Sequence, residues 1–127
     1  MSQRQAIYTK QAPEPIGAYS QAVKVGSTVY LSGQIPLCPK TGQLISQDIH
    51  EQVQQVFTNL RVVCQAAGGD FSAIAKLTVY LIDLNDFSVV NDAMVELFSE
   101  PYPARAVVEV SALPKGSAVE VEAILQL

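Results

Sequence analysis

The sequence predicts a single α+β domain over residues 1–127, with about six strands in a mixed sheet and two helices on one face of it. Two segments carry apolar residues at spacings of three and four, which is typical of amphipathic helices. The other apolar runs are short and separated by proline and glycine, which is typical of strands. The predicted order is β-ββ-α-β-α-ββ, without an internal linker.

The first helix is predicted from Ile49 to Ala67, because six apolar positions recur along one face of that segment. Gly68-Gly69 is its expected C-terminal stop. A turn and helix cap over Asp83–Asp86 precedes the second helix, whose apolar stripe begins at Phe87 and which ends before Pro101.

The strands are assigned from alternation and from the turn residues between them. Gly26-Ser27 is the expected turn of a β-hairpin. The segment Lys76–Ile82 is apolar on both alternating faces and is therefore predicted to be a central strand covered on both sides. The other predicted strands are Ala6–Tyr8 (an edge), Ala22–Val25, Thr28–Ser32, Ala104–Val110 and Ala118–Leu125, with loops over 11–18 and 34–45.

Two helices can cover only one face of a six-stranded sheet. The last predicted strand is nevertheless apolar on both alternations, with Val119 and Val121 on one side and Ala118 and Ile124 on the other. We therefore expect the second face to be buried against copies of the same chain.

The composition limits the class of protein. Hydrophobic residues make up 49% and charged residues 16%, and the net charge is −4, which argues against a nucleic-acid-binding protein because such proteins carry a basic patch. No apolar run approaches the roughly 20 residues of a membrane span, and the polar N-terminus does not resemble a signal peptide. Cys38 and Cys64 are expected to be reduced thiols in a cytoplasmic protein that binds no membrane.

Arg105 is the candidate binding residue that the sequence singles out, because it lies between two prolines and a β-rich run. A buried guanidinium needs an anion, since leaving it unpaired costs several kcal/mol. If the last two strands form a hairpin with Val107 opposite Glu120, Arg105 lies opposite Glu122 and diagonal to Glu120. The spacing alone leaves two alternatives open: a structural ion pair, or a site for the carboxylate of a ligand.

Other chemistry finds little support in the sequence. His50 is the only histidine, so a catalytic triad or a two-histidine metal site is excluded, and a surface position is expected for it. Cys38 has no partner base, and Cys64 lies next to the apolar stripe of its helix and is expected in the core. No phosphate-binding loop and no zinc spacing occurs, so neither a cofactor nor a metal is expected.

Several motifs together resemble the reactive intermediate deaminase (Rid, formerly YjgF) family. In chain order they are Ile16-Gly17-Ala18-Tyr19-Ser20-Gln21, Leu31-Ser32-Gly33-Gln34-Ile35-Pro36, Asp83-Leu84-Asn85-Asp86-Phe87, Val90-Asn91, Tyr102-Pro103-Ala104-Arg105, Val108-Glu109-Val110, Leu113-Pro114-Lys115 and Val119-Glu120-Val121-Glu122-Ala123. The resemblance implies a chorismate-mutase-like fold of the bacillus type and a homotrimer with clefts between subunits. It also implies hydrolysis of 2-imino acids, such as 2-iminopropanoate and 2-iminobutanoate, to 2-oxo acids and ammonia.

The resemblance also implies roles for individual residues. Arg105 would hold the substrate carboxylate through a two-pronged contact, and Glu120 would position and activate the attacking water. The other substrate-binding residues it implies are Tyr19, Ser32, Gly33 and Asn91. An imine carbon is already electrophilic, so orientation and one general base are enough for its hydrolysis.

One position departs from the pattern of the family. Many deaminase members carry a cysteine two residues after the site arginine, and here that residue is Val107, preceded by Ala106 in place of the more usual serine. Valine cannot form a hydrogen bond to water or to substrate, so a non-catalytic trimer that binds small carboxylates is the alternative function. RNA cleavage, ascribed to some relatives, fits poorly with an acidic chain and a single histidine.

Overall fold

A computed structural model describes residues 3–127, which form one six-stranded mixed sheet with two helices. The elements in chain order are β1 (Arg4–Ile7), β2 (Ala22–Val25), β3 (Thr28–Gln34), α1 (Ile49–Ala66), β4 (Ile74–Leu81), α2 (Phe87–Leu97), β5 (Ala104–Glu109) and β6 (Val119–Gln126). The predicted element order is confirmed, and the bounds agree to within two residues. Within the described range, no helix is both long and apolar enough to cross a bilayer.

The two helices begin and end where the sequence indicates. The Asp48 carboxylate caps α1 by accepting a hydrogen bond of 3.0 Å from the Glu51 amide. At the other end Gly68 adopts φ +99°, a conformation that favours glycine, and the Gly69 amide donates to the Cys64 carbonyl. Before α2, the Asp83 carboxylate accepts from the Asn85 amide and caps a short 3-10 turn over Leu84–Asp86.

The strand order is β1-β2-β3-β6-β4-β5, and it corrects one prediction. The last two strands do not form a hairpin: β6 lies between β3 and β4, antiparallel to both, whereas β5 pairs parallel with β4 at the sheet edge. The reason lies in burial. One side of β6 is fully apolar and needs strands on both flanks, whereas β5 buries little.

The core lies between the sheet and the two helices. The buried side chains of β4 and β6 that face the helices are Leu77, Val79, Leu81, Val119, Val121, Ala123 and Leu125. The helices add Val53, Val56, Phe57, Leu60, Val63, Val90 and Met94. Cys64 is buried among them, as predicted, and burial raises the pKa of its thiol to about 12.

The opposite face of the sheet is not covered by any element of the described chain. It carries Tyr30 and Val108, both more than 40% exposed, together with the half-buried Tyr80 and Ile124. The segment Lys76–Ile82 was predicted to be covered on both sides. Within a single chain, only the side that faces the helices is covered. A six-stranded sheet with apolar groups on its open face is a surface that favours association.

Candidate functional site

Arg105 projects from the edge strand β5 toward α2. Its partner across the parallel pairing is Leu77, whose side chain faces the helices, so Arg105 lies on the same side. Its Nη1 donates to Asn91 Oδ1 at 2.9 Å and to Met94 Sδ at 3.7 Å, and its Cζ lies 5.0 Å from the centre of the Phe87 ring. The guanidinium is thus held by three uncharged side chains of one helix.

Within residues 3–127, no carboxylate lies within 4.0 Å of the Arg105 guanidinium. This excludes the predicted pairing with Glu120 or Glu122 inside one chain. Glu109, which shares the strand, instead accepts a hydrogen bond of 3.0 Å from the Leu84 amide and caps the turn before α2. Of the two alternatives, the structural ion pair is therefore not formed in the described chain.

A cavity of about 400 Å³ opens beside this cation. Its lining combines the guanidinium and one amide with apolar groups: Asn91, Met94, Val95, Tyr102, Pro103 and Arg105. A pocket with one fixed cation and otherwise mostly apolar walls suits a small carboxylate with a short aliphatic side chain.

Glu120 lies on the other face of the sheet. In the pairing of β6 with β4, Glu120 lies opposite Tyr80. Its neighbours Val119 and Val121 face the helices, so the Glu120 carboxylate points to the open face. Arg105 and Glu120 of one chain are therefore on opposite sides of the sheet. They cannot contact the same small ligand within a single chain.

The environment of Glu120 makes its carboxylate a stronger base than an ordinary one. Partial burial raises the pKa of Glu120, and the nearby charge of Glu122 raises it further. Glu122 itself accepts a hydrogen bond of 3.2 Å from the Tyr80 hydroxyl. A raised pKa suits a group that must take a proton from water near neutral pH.

Gly33 and Glu120 are in close contact, at a β-bulge where β3 changes register against β6. A methyl group built on Gly33 would lie 2.0 Å from Glu120 Oε2. The absence of a side chain at position 33 therefore leaves the space that the Glu120 carboxylate occupies.

Substitution of this glycine tests the contact. If Glu120 acts as the general base that the family resemblance implies, we expect Gly33→Ala to lower the rate by about 10²-fold, because misplacing a catalytic group by about 1 Å has effects of that size. The matched control is Gly17→Ala, whose methyl would lie 3.7 Å from the Tyr19 ring, an ordinary contact, and which is expected to keep its rate. Equal rates for wild type and Gly33→Ala, with both chains folded by circular dichroism, would contradict this placement of Glu120.

Tyr19 and Ser32 lie near Gly33. The Ser32 hydroxyl donates to the Ser20 carbonyl at 2.6 Å, and the Ser32 amide donates to the Gln21 carbonyl, which ties β3 to the loop that carries Tyr19. The Tyr19 hydroxyl accepts from the Ile16 amide at 3.3 Å, and its half-exposed ring shares a shallow groove with Gly33.

The predicted site residues thus form two groups in one chain. The structure brings Arg105 and Asn91 together on the helix side, and it brings Gly33 and Glu120 together at the open face. Tyr19 shares a groove with Gly33, and Ser32 is hydrogen-bonded to the loop that carries Tyr19. Sequence reasoning missed Phe87 and Met94. Their spacing of four and three residues from Asn91 places all three on one helix face, and this signal could have found them.

The remaining reactive side chains lie away from both groups. His50 is exposed at the start of α1, 3.9 Å from Asp48, as predicted for a surface residue. Hydrogen bonds from Thr41 lower the pKa of Cys38, which is a free thiol in the loop after β3. Among residues 3–127, no group of three His, Cys, Asp or Glu side chains is placed to hold a metal ion.

Comparison with known families gives a match over most of the chain. The family model described as endoribonuclease L-PSP matches residues 9–126. The 2-iminobutanoate/2-iminopropanoate deaminase of Homo sapiens is 47% identical over 121 residues, which are 95% of this chain and 88% of that protein. A RutC family protein of Pyrococcus horikoshii is also 47% identical, over 95% of this chain and 96% of its own length.

Solved structures of similar sequence share the fold of this chain. RidA from the Antarctic bacterium Psychrobacter sp. superposes with a TM-score of 0.94 at 51% identity, covering 97% of this chain and 99% of that one. The TdcF protein of E. coli, solved with bound serine, superposes with a TM-score of 0.91 at 40% identity, covering 97% and 98% of the two chains.

Proposed function

Because the chain belongs to the Rid/YjgF family, whose model is described as endoribonuclease L-PSP, we propose that it hydrolyses 2-imino acids to 2-oxo acids and ammonia. The observation that carries the proposal is the Arg105 guanidinium, which is fixed by uncharged side chains beside a cavity and has no carboxylate partner in the described chain. The named deaminases among the relatives, at 46–49% identity over nearly the whole chain, give the reaction.

The reaction follows from two groups. Arg105 binds the carboxylate of the 2-imino acid and orients its C=N bond. Glu120 takes a proton from a water molecule, whose oxygen adds to the imine carbon while the π electrons of the C=N bond move to nitrogen. Glu120 returns this proton to the nitrogen, which gives a neutral carbinolamine. The hydroxyl proton of the carbinolamine then passes through Glu120 to the same nitrogen, the C–N bond breaks, ammonia leaves, and the C–O bond becomes the carbonyl of the 2-oxo acid. 2-Iminopropanoate and 2-iminobutanoate are the proposed substrates, and the step uses neither cofactor nor metal.

Two chains build each site in this proposal, because Arg105 and Glu120 of one chain face opposite sides of the sheet. The assembly is a homotrimer of chorismate-mutase-like subunits, with the open sheet faces packed inside and a cleft at each subunit boundary. The half-buried and exposed apolar groups of the open face support it. The free thiols are in keeping with a reducing compartment, the cytoplasm.

The activity is tested with a threonine dehydratase that generates 2-iminobutanoate in amine-free buffer. We expect the protein to accelerate the loss of the imine in proportion to its concentration. A protein that binds 2-oxobutanoate but leaves the rate of imine loss unchanged would be the non-catalytic carboxylate-binding module instead.

The shared site is tested by mixing two inactive variants. Arg105→Ala trimers are expected to be inactive and Glu120→Gln trimers to keep at most about 1% of the rate. Subunit exchange at equal amounts is expected to restore roughly a quarter of the sites, since each site needs one intact group from each neighbour. Native mass spectrometry verifies the exchange, and sedimentation is expected to show a species of three chains. Verified exchange without recovered activity would contradict a site built from two chains.

Substitution of Val107 tests the deaminase proposal against the alternative of a non-catalytic carboxylate-binding module. It packs against the core on the same side of the sheet as Arg105, and cysteine is close to it in volume, so Val107→Cys is expected to cost little stability. If Arg105 and Glu120 are sufficient, the rate changes by less than about tenfold. Cys38→Ser, the matched thiol control, is expected to keep the wild-type rate. An inert wild type that Val107→Cys activates would contradict the deaminase proposal for this chain.

RNA cleavage is not proposed, although the family description names an endoribonuclease. The chain has a net charge of −4 and one histidine. That histidine, His50, is exposed beside Asp48 and is not among the residues that line the Arg105 cavity.

A further inference from the structure

The face of α2 that contacts Arg105 is a stripe of three side chains at positions i, i+4 and i+7. Phe87 places its ring under the guanidinium, with 5.0 Å between the ring centre and Cζ. Asn91 Oδ1 accepts from Nη1 at 2.9 Å, and Met94 Sδ lies 3.7 Å from the same nitrogen. We refer to these three residues as the α2 stripe.

Some of the hydrogen-bond donors of Arg105 contact this stripe, and the others have no acceptor in the described chain. A guanidinium has five N–H donors, of which two belong to Nη1. The contacts of Nη1 are with the stripe, at Asn91 and Met94. In the part of the chain that the structure describes, Nε and Nη2 have no hydrogen-bond acceptor, so the edge between them remains for a ligand.

We propose that Phe87 is a positioning residue for Arg105, and that the α2 stripe presents the Nε–Nη2 edge of the guanidinium to the substrate carboxylate. This rests on the proposed function, in which Arg105 binds that carboxylate. Phe87 acts through Arg105 and needs no contact with substrate.

Positioning matters here because Arg105 extends from an edge strand and is exposed. A free arginine side chain loses rotamer freedom when it binds a ligand, and this loss weakens binding. Contact of the cation with an aromatic face removes part of the freedom before the ligand arrives. It favours the positioned side chain by a factor of about 2 to 30 at exposed to desolvated sites, which is also the largest gain in ligand affinity that it can give.

Two substitutions of Phe87 distinguish the effect of its aromatic ring from the effect of its size. Because Phe87 is about 40% exposed, Phe87→Leu is expected to fold, which circular dichroism and the mass of the assembly check. We expect Phe87→Leu to raise the Kd for 2-oxobutanoate and the KM for the imine by about 3- to 30-fold, with kcat within about twofold. Phe87→Tyr keeps an aromatic face and is expected to stay within about threefold of wild type on all three.

The control is Leu84→Ala, which removes another exposed apolar side chain at the start of the same helical region. It is expected to leave Kd, KM and kcat unchanged. A rise in Kd for Leu84→Ala equal to that of Phe87→Leu would show a general loosening of α2 and would overturn the proposal.

A graded series tests the electrostatic cause directly. Site-specific incorporation of mono-, di- and trifluorophenylalanine at position 87 withdraws electron density from the ring face with little change in shape. The logarithm of the Kd for 2-oxobutanoate is expected to rise in step with the number of fluorine atoms. A flat series would overturn the positioning role, since a packing role does not depend on the charge distribution of the ring.

The outcomes distinguish this proposal from the proposed function. If the wild type binds 2-oxobutanoate with the expected dependence on residue 87 but does not hydrolyse imines, the positioning role stands and the deaminase function fails. If the wild type hydrolyses imines and Phe87→Leu has wild-type Kd and KM, the function stands and the positioning role is overturned.

Discussion

Arg105→Ala is expected to abolish imine turnover while the chain still folds. The side chain is exposed on an edge strand, and its contacts are with Phe87, Asn91 and Met94, so its removal leaves no buried group unpaired. It also removes the only cation among the residues that line the cavity. Binding of 2-oxobutanoate, measured by calorimetry, is expected to be lost together with turnover.

Arg105→Lys is the matched variant that keeps the charge. A lysine ammonium is a point charge and cannot reproduce the planar fork of a guanidinium, so activity is expected to remain poor. Full activity of Arg105→Lys would show that charge alone is sufficient. Near-wild-type activity of Arg105→Ala, or a chain that no longer folds, would show that Arg105 has a structural role.

Glu120→Gln is expected to lower kcat by roughly 10²–10⁴-fold, the range usual for the loss of a general base. Glutamine has the shape of glutamate but cannot take a proton from water. The affinity for 2-oxobutanoate is expected to be kept, because in the proposed site Arg105 and not Glu120 binds the carboxylate. The split between kcat and Kd is the measurement that distinguishes a base from a ligand-binding residue.

The pH dependence provides a second readout for Glu120. A general base works when it is deprotonated, so wild-type activity is expected to fall as the pH falls through the pKa of Glu120, which lies above that of an ordinary glutamate. In a plot of activity against pH, this fall is the acidic limb, and the Glu120→Gln variant is expected to lack it.

Glu122→Gln is the matched control, since it lies two residues further along the same face of β6. Because the charge of Glu122 is one cause of the raised pKa, its removal is expected to keep kcat and move the limb to lower pH. A limb that persists unchanged in Glu120→Gln would assign the base to another group.

The amino-acid sequence by itself determined the helices and strands and the residue types of the candidate site. The apolar residues Ile49, Val53, Val56 and Leu60 recur at helical spacing, which can be recognised without the rest of the fold. Gly68 ends the helix through its own backbone conformation. These features depend on neighbours within a few residues and are therefore visible in sequence. The motifs around Arg105 and Glu120 were likewise sufficient to indicate the family.

Only the tertiary structure decided which strands are neighbours and which way their side chains face. Alternation shows that Arg105 and Glu109 share one side of their strand, but it does not show whether that side meets the helices. Burial of the fully apolar side of β6 draws that strand between β3 and β4 and leaves β5 at the edge. Arg105 and Glu120 are thereby placed on opposite faces of one sheet, because strand pairing is set by long-range burial that local spacing does not encode.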